Sequence, residues 1–240
     1  MSIKHELRKL LWKVGYDFCR FDPKFNSLAR RKKLLESYAI DVVLDVGANT
    51  GQFAMQIRND LGFAGRIVSF EPLTSAFEVV KKNSAGDPKC RVINCALGDT
   101  DGKREINVAG NSYSSSLLNM LPTHVKAAPK SNYVGRESID IKTLDSMIND
   151  FCSLEDNTYL KIDRQGFERQ VIKGADNSLS RIASVQLEMS LTPLYQDGAL
   201  FDELHSLLNG KGYSLVSIEP GFFDKNSGRL LQVDGIYHRF

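Results

Sequence analysis

The 240-residue sequence predicts a doubly wound α/β fold, with a mostly parallel sheet between two layers of helices. Three observations lead to this prediction. Short apolar strands alternate with helical segments along most of the chain, a glycine turn joins the first strand directly to a helix, and the last two strands form a hairpin. We therefore expect seven strands in one sheet, all parallel except at the edge that holds the antiparallel C-terminal hairpin.

The predicted elements follow in a regular order. The helices cover residues 3–16, 26–37, 52–61, 143–151, 166–173 and 200–208, and one more starts near Thr74. The strands cover residues 42–46, 66–71, 91–95, 104–109, 138–142, 158–163, 184–188, 213–218 and 230–240. Thr74 and Thr143 are expected to cap their helices with their hydroxyl oxygens. We expect residues 1–39 to form N-terminal helices and residues 40–240 to form one domain with an insertion at about 99–136.

Composition excludes several classes of protein. With 42% hydrophobic and 25% charged residues, the chain is typical of a soluble globular domain. No apolar run approaches the roughly 20 residues that span a bilayer, and no motif that reads RNA or DNA occurs. The cysteines form no C-x-x-C pair, so we expect reduced thiols at Cys19, Cys90, Cys95 and Cys152. We therefore expect a cytoplasmic protein without an integral membrane segment or a nucleic-acid partner.

The N-terminal region carries an excess of positive charge. Residues 1–40 hold ten Lys or Arg against four Asp or Glu, whereas the rest of the chain holds 21 against 25. The first predicted helix has basic residues beside an apolar face that consists of Ile3, Leu7, Leu10, Leu11 and Val14. We expect this face to pack on the domain or on a second copy in a homo-oligomer, with binding to a membrane surface as the alternative.

The segment from residue 42 to residue 53 indicates a buried strand that turns through two glycines into a helix. Gly47 and Gly51 have no Cβ, so the backbone can bend sharply and a ligand can approach it closely. Glu71 ends the next strand, beside this turn in a parallel sheet. Its carboxylate can accept hydrogen bonds from both hydroxyls of a ribose. This arrangement predicts a nucleoside cofactor.

The spacing of the turn helps to decide which nucleoside it is. A pyrophosphate dinucleotide calls for G-x-G-x-x-G, but Asn49 stands at the second glycine position. Asp45 suits a sulfonium cation and would lie badly beside a pyrophosphate. The pattern D-x-G-x-N-x-G, with Glu71 in register, resembles the S-adenosylmethionine (SAM) turn of class I methyltransferases. A nicotinamide-dependent oxidoreductase remains the alternative.

Ordered motifs through most of the chain resemble the FkbM-type methyltransferases. They are LDVGANTGQF (44–53), FEP (70–72), ALGD (96–99), SSSL (114–117), LKID (160–163), GFE (166–168) and QLE (186–188). The tail GRLLQVDG (228–235) is similar to that of members associated with sugar or natural-product tailoring. The resemblance implies a class I Rossmann-like fold, SAM as methyl donor, and transfer to a hydroxyl oxygen of substrates such as macrolides and sugars.

The resemblance also implies a set of site residues. Those expected at the cofactor are Asp45, Gly47, Asn49, Gly51, Phe53, Glu71, Pro72, Ala96, Leu97 and Asp99. Many members carry a small or apolar residue at position 164 and an acidic one at 165, whereas this chain has Arg164 and Gln165. A carboxylate that could serve as a base is therefore missing, and Arg164 is a candidate to neutralise or orient an anionic group.

Three carboxylates are candidates for the chemistry. Asp163 and Glu188 end neighbouring strands at the crevice, and Glu168 lies one helical turn further on. We expect Asp163 to act as the base or to orient the acceptor, with Glu168 as the second choice or as a capping group. Asp163 and Glu188 could also hold Mg²⁺, although the sequence offers no third ligand.

Residues 112–136 lack a clear period and any acidic side chain. This stretch, which includes His124, is either a lid over an anionic or sugar-nucleotide substrate or a solvated basic loop. The leading prediction is a SAM-dependent O-methyltransferase that acts on a hydroxyl of a small molecule or glycan. The alternatives are an N-methyltransferase, the oxidoreductase named above, and a non-catalytic SAM-binding module.

Overall fold

The computed structural model describes residues 3–240, which form ten strands and eight α-helices. The strands are β1 (Val42–Val46), β2 (Arg66–Phe70), β3 (Cys90–Ile93), β4 (Ala96–Leu97), β5 (Gly102–Ala109), β6 (Tyr133–Lys142), β7 (Thr158–Ile162), β8 (Ile182–Ser190), β9 (Ser214–Pro220) and β10 (Gln232–His238). The helices are α1 (Ile3–Trp12), α2 (Ser27–Ser37), α3 (Gln52–Met55), α4 (Thr74–Ser84), α5 (Pro122–Ala127), α6 (Leu144–Met147), α7 (Glu168–Lys173) and α8 (Phe201–Gly210).

Seven strands form the main sheet in the order β3-β2-β1-β7-β8-β10-β9. The first five of these strands are mutually parallel, and β10 runs antiparallel to both β8 and β9. The predicted fold class is confirmed, including the reversed C-terminal edge. The remaining strands form a separate small sheet in the order β4-β6-β5, so the insertion carries its own sheet.

The centre of the main sheet is buried on both faces because helices cover each side. Every residue of β1 and β7 is buried. Val42 and Leu44 belong to one apolar cluster, and Val43 belongs to the cluster on the opposite face. This alternation follows from the two-residue period of a strand. The result is a rigid platform whose strand ends hold the residues that follow them.

Two helix starts test the capping predictions. Thr143 caps α6 as expected, because its hydroxyl oxygen accepts a hydrogen bond from the Ser146 amide at 3.2 Å. The prediction for Thr74 is wrong, since Leu73 occupies the cap position of α4. Thr74 instead donates its hydroxyl to Oε1 of Glu137 at 2.6 Å. The Thr74 hydroxyl is therefore bound to Glu137 of β6 and does not cap α4.

The helix after the glycine turn differs from the prediction in its second half. The predicted helix over 52–61 is present as α3 followed by a π-helical turn over Gln56–Asp60. Such π turns widen a helix locally and often occur near functional sites. Gln56, the first residue of this turn, lines the cavity described below.

The two N-terminal helices behave differently. Ala29 and Leu35 of α2 are buried, and Leu35 joins the same apolar cluster as Val43. By contrast, α1 from His5 onward and the chain after it as far as Phe25 are mostly exposed, so the apolar face of the first helix does not pack on the domain, and its packing on a second copy stays a prediction. We call the exposed apolar side chains of this region the N-terminal apolar surface; they are Leu7, Leu10, Trp12, Val14, Tyr16, Phe18, Phe21 and Phe25. None of the described helices is long and apolar enough to cross a membrane.

Candidate functional site

A cavity of about 360 Å³ lies at the carboxyl ends of the central parallel strands. Ligands in open α/β sheets bind at this edge. Six of the residues predicted from the sequence line the cavity, namely Gly47, Asn49, Phe53, Glu71, Asp163 and Glu188. Among the lining residues that the sequence analysis did not single out for the site are Arg31, Gln56, Lys161, Gln186 and Asp234.

Gly47 fixes the turn between β1 and α3. Its φ is +86°, a region that disfavours side chains, and a Cβ there would lie 2.0 Å from the carbonyl oxygen of Asp163. The amides of Gly47 and Ala48 both donate to the carbonyl oxygen of Phe70 at 3.1 Å. The turn is therefore fastened to both neighbouring strands, and only glycine fits between them.

Glu71 is held by backbone amides. Its Oε2 accepts a hydrogen bond from the backbone amide of Asn49 at 2.8 Å, and its Oε1 accepts one from the backbone amide of Leu73 at 2.9 Å. Burial raises the pKa of Glu71, whereas the nearby Arg164 guanidinium and these two amides act in the opposite direction. Asn49 has a φ of +48°, which brings its amide toward the carboxylate. The glycine turn and the end of β2 thus form one fixed unit.

Asp45 lies beneath this unit and does not line the cavity. It is fully buried, and its Oδ1 is 3.0 Å from Nζ of Lys161 on β7. Burial alone would lower the pKa of Lys161, but the carboxylates of Asp45 and Asp163 raise it above its ordinary value. Nζ of Lys161 also lies 3.5 Å from Oδ2 of Asp163 and 5.3 Å from the centre of the Phe53 ring. Asp45 therefore acts through Lys161, which connects the floor of the site to Asp163.

Gln165 links the two carboxylates at the opposite end of the cavity. Its amide nitrogen donates to Oδ1 of Asp163 at 3.0 Å and to Oε2 of Glu188 at 2.7 Å. The Tyr195 hydroxyl donates to the amide oxygen of Gln165 at 2.7 Å, and the Gln232 amide also donates to Oε2 of Glu188 at 2.8 Å. A glutamine can donate to both carboxylates at once, which a glutamate at this position could not do.

The electrostatics of this end favour proton uptake. Burial and then the neighbouring Asp163 carboxylate raise the pKa of Glu188 well above its ordinary value. Burial, with a further contribution from Asp163, raises the pKa of Asp234 to about 6. Oε1 of Glu188 accepts no hydrogen bond from the described residues, whereas both oxygens of Asp163 face donors. Glu188 is therefore the carboxylate with a free oxygen and a raised proton affinity.

Arg31 brings α2 into the site. Its guanidinium pairs with Glu219, donates to Oε1 of Gln56 at 3.1 Å, and lies 5.3 Å from the centre of the Phe53 ring. Arg31 and Glu219 are both buried. The sequence does not mark Arg31 as a site residue, because α2 lies outside the glycine turn and a basic run on a helix normally faces solvent. What marks Arg31 is its buried ion pair with Glu219, and this pair forms only in the folded chain.

The insertion covers one side of the glycine turn. The side-chain amide of Gln52 donates to the Tyr113 hydroxyl at 2.9 Å, and the side-chain amide of Asn49 donates to the Ser112 hydroxyl at 3.3 Å. Ser112 and Tyr113 line the cavity, but His124 does not. His124 is buried against the rings of Tyr195 and Phe222, and this burial lowers its pKa to about 4. Only the start of the stretch 112–136 therefore meets the site.

Several other predicted residues lie outside the cavity. A Cβ at Gly51 would lie 2.8 Å from Cγ2 of Val80, so this glycine permits helix packing. Glu168 is buried and accepts from the amides of Arg164 and Gly166 at 3.0 and 3.1 Å. Burial raises the pKa of Glu168 to about 7. The remaining predicted residues that do not line the cavity are Pro72, Ala96, Leu97 and Asp99.

The position of β4 explains why the last of these residues lie apart from the cavity. Ala96 and Leu97 form β4, which pairs with β6 in the small sheet, and both side chains are buried there. Oδ1 of Asp99 faces Arg104 at 3.9 Å. The segment that follows β3 thus turns into the insertion instead of returning to the strand ends.

The described residues contain no group of three or more His, Cys, Asp or Glu side chains that could hold a metal ion. Asp163 and Glu188 were the predicted pair for Mg²⁺. The amide nitrogen of Gln165 is within hydrogen-bond distance of both carboxylates. Its hydrogens therefore occupy the space between the two carboxylates, where a shared cation would have to bind. The geometry of this pair does not support a divalent cation.

Comparison with known proteins shows the family of the chain. Residues 45–215 match the model of the Methyltransferase FkbM domain, from Asp45 to the first half of β9. The chain belongs to the FkbM methyltransferase family. It is a SAM-dependent methyltransferase, and the resemblance noted in the sequence is confirmed.

Two curated relatives of this FkbM protein are less than 25% identical to it. It is 23% identical over 190 residues to Methyltransferase 1 of Beauveria bassiana (strain ARSEF 2860), which covers 74% of each chain. It is 22% identical over 197 residues to Methyltransferase sdnD of Sordaria araneosa, with 72% of this chain and 74% of the relative covered. Its fold is similar to the crystal structure of a putative methyltransferase from Thermobifida fusca, with a TM-score of 0.51, 12% identity, and coverage of 88% and 78%.

Proposed function

We propose that this protein is an O-methyltransferase that transfers a methyl group from SAM to a hydroxyl of a small molecule, a sugar or glycan or a natural product of polyketide type. The observation that carries the proposal is the layout of one cavity. Asn49 and Glu71 lie on its wall beside the glycine turn, and Glu188 lies on its wall beside Gln165 with a free carboxylate oxygen.

The residues around the glycine turn fit SAM. The backbone amides that hold Glu71 leave lone pairs on both carboxylate oxygens, which can accept from the two hydroxyls of a ribose. Leu73 and Ile106 supply apolar lining in the same cavity, which suits an adenine ring. Bound SAM would supply its methyl group as part of a sulfonium cation. Between the two ends of the cavity, the positive charge of Lys161 offsets the negative charge of Asp163.

We assign Glu188 as the group that accepts the hydroxyl proton. A base must be unprotonated yet have a pKa close to the working pH, and burial beside Asp163 raises the pKa of Glu188 in that direction. Asp163, the first choice from the sequence, has Lys161 and Gln165 as neighbours at its two oxygens and is better suited to orient the acceptor. Glu168 caps the loop after β7 and has a structural role.

The acceptor end suits a compound with several hydroxyls. Gln186, Asp234 and Arg31 line the cavity near the carboxylates, and each offers hydrogen-bonding groups. Methyl transfer is an in-line displacement, so these groups must hold the acceptor oxygen in line with the methyl carbon. A polar wall that binds neighbouring hydroxyls provides this orientation and favours a polyhydroxylated substrate over an apolar amine. Mg²⁺ has no part in the proposal.

The test is a screen for methyl transfer. The protein is incubated with SAM and a panel of monosaccharides, glycosides and macrolides, together with amino analogues of the same compounds, and release of S-adenosylhomocysteine is measured. We expect methylation of hydroxyl compounds that grows with the number of neighbouring hydroxyls, and nuclear magnetic resonance of the product should place the new methyl group on oxygen. Transfer only to the amino analogues would favour the N-methyltransferase alternative and contradict the proposal.

A further inference from the structure

Exposed apolar side chains are concentrated in one short segment. Of the seventeen large hydrophobic residues that are exposed in the described chain, eight form the N-terminal apolar surface between residues 7 and 25. Their exposed fractions run from 49% for Trp12 to 71% for Phe18. The other nine are scattered from Met55 to Phe240. Scattered residues of this kind are normal, whereas a cluster rimmed by polar side chains marks a place of contact.

The cluster combines an amphipathic helix with aromatic residues. In α1, Leu7 and Leu10 follow the helical spacing of one apolar face, and Val14 lies in the turn just after the helix. After α1, Tyr16, Phe18, Phe21 and Phe25 are also exposed, outside regular structure. A stripe that packed against one partner helix would end with the helix. A surface that continues through four aromatic side chains suits a partner that is itself broad and deformable.

Basic side chains are interleaved with these apolar residues. Arg8 lies 5.6 Å from the centre of the Trp12 ring, and Lys24 lies 5.3 Å from the centre of the Phe25 ring. Lys13 and Arg20 are exposed between them. Residues 7–25 carry five basic against two acidic side chains, so the segment bears a net positive charge, whereas the rest of the chain holds 26 against 27.

We infer that the N-terminal apolar surface docks on an anionic lipid bilayer, with α1 lying in the plane of the interface. Apolar and aromatic side chains on one face and lysine or arginine beside them are the features of such interfacial helices. Charge selects this occupant over a second copy of the chain, because pairing two such segments would bring like charges together. Anionic headgroups would instead offset the excess positive charge of the segment, in which Arg8 already pairs with Asp17.

The chain carries its own probe for this inference. Trp12 is the single tryptophan of the sequence, so intrinsic tryptophan fluorescence reports on the N-terminal apolar surface alone. The full-length protein is mixed with vesicles of pure phosphatidylcholine, or of phosphatidylcholine with phosphatidylglycerol. We expect a blue shift of the emission and sedimentation with the anionic vesicles only, and at least a tenfold loss of binding in high salt.

Variants assign the effect to the segment. Leu10→Glu and the pair Lys13→Glu with Lys24→Glu should each weaken binding to anionic vesicles at least tenfold, and all three positions are exposed so that the fold is unaffected. Leu154→Glu is the matched control, because Leu154 is 80% exposed but lies outside the segment. No blue shift with anionic vesicles, or equal binding to neutral ones, would overturn the inference. Self-association in light scattering without vesicle binding would overturn it in favour of a second copy.

Discussion

The two ends of the cavity are built by different means. At the cofactor end, Glu71 and Asn49 are tied together by backbone amides within one strand-turn-helix-strand unit. At the acceptor end, Gln165 joins Asp163 to Glu188, and the partners that support these three side chains come from distant parts of the chain. Backbone geometry therefore determines one end, and a network of side chains determines the other.

This difference has a consequence for how each end responds to change. A unit in which backbone amides bind one carboxylate depends on that carboxylate and fails when its turn cannot form. A side-chain network keeps its backbone when one member is replaced, yet it loses the position and the proton affinity of the others. Substitutions at the cofactor end should thus act on folding and binding, and those at the acceptor end on turnover.

The largest effect is expected at the glycine turn. Gly47→Ala places a Cβ 2.0 Å from the Asp163 carbonyl oxygen, which forces β1 and β7 apart. We expect loss of measurable SAM binding in calorimetry and a large drop in melting temperature. Gly62→Ala is the matched control, since Gly62 also has a positive φ of +71° but has no atom within 4 Å of the added Cβ. The control should lose only about 1–2 kcal/mol for the left-handed conformation.

Equal losses of stability in these two glycine variants would mean that the strained φ alone accounts for the effect. In that case the contact of the added Cβ with the Asp163 carbonyl oxygen would cost no stability. This result would contradict the claim that backbone packing determines the cofactor end.

The next effect concerns turnover. With an acceptor from the methyl-transfer screen, Glu188→Gln should lower kcat roughly 10²- to 10⁴-fold, the range of a lost general base, without a comparable loss of SAM affinity. Asp163→Asn should cost less, because this residue orients rather than accepts the proton. The raised pKa of Glu188 means that the rate of the wild-type enzyme rises with pH as this carboxyl ionises, and Glu188→Gln should abolish that rise. A larger loss in Asp163→Asn would return the role of base to Asp163.

The smallest effect separates a structural carboxylate from a catalytic one. The folded pKa of Glu168 is about 7, above its ordinary 4.5, so the native state binds more protons than the unfolded state between these values. Its contribution to stability is therefore present below about pH 4.5 and is lost as the pH rises to 7, by up to about 3 kcal/mol. Glu168→Gln should flatten the pH dependence of the free energy of unfolding in urea titrations.

An unchanged pH dependence in Glu168→Gln would show that Glu168 does not carry this proton. A loss of turnover like that of Glu188→Gln, without a change in stability, would give Glu168 the catalytic role that its hydrogen bonds to loop amides argue against.

The same contrast explains what the sequence could predict. Gly47 and Asn49 belong to one short motif, and Glu71 ends the next strand of a parallel sheet, so local spacing and strand order together predict that all three meet at the cavity. Arg31 and Lys161 could not be assigned, because their roles depend on Glu219 and Asp45, which only the sheet order brings to them.

Long-range pairing explains one open prediction and one error. Ala96 and Leu97 stay predicted cofactor residues, but pairing of β4 with β6 places them in the small sheet, outside the cavity lining. Thr74 was expected to cap α4, but its hydroxyl donates to Glu137 of β6 instead. A local pattern predicts local geometry well, and it fails where a distant segment competes for the same groups.

The measurement that tests the central claim most directly is calorimetric titration of the wild-type protein and Glu71→Gln with SAM, S-adenosylhomocysteine and NAD. Glu71 with its two backbone amides predicts that the wild type binds the two sulfur nucleosides and not NAD, and that Glu71→Gln weakens SAM binding by about 1.5–3 kcal/mol, the size of hydrogen bonds to a charged group. Circular dichroism checks that the variant is folded. Binding of NAD alone, or unchanged SAM affinity in the folded variant, would contradict the account.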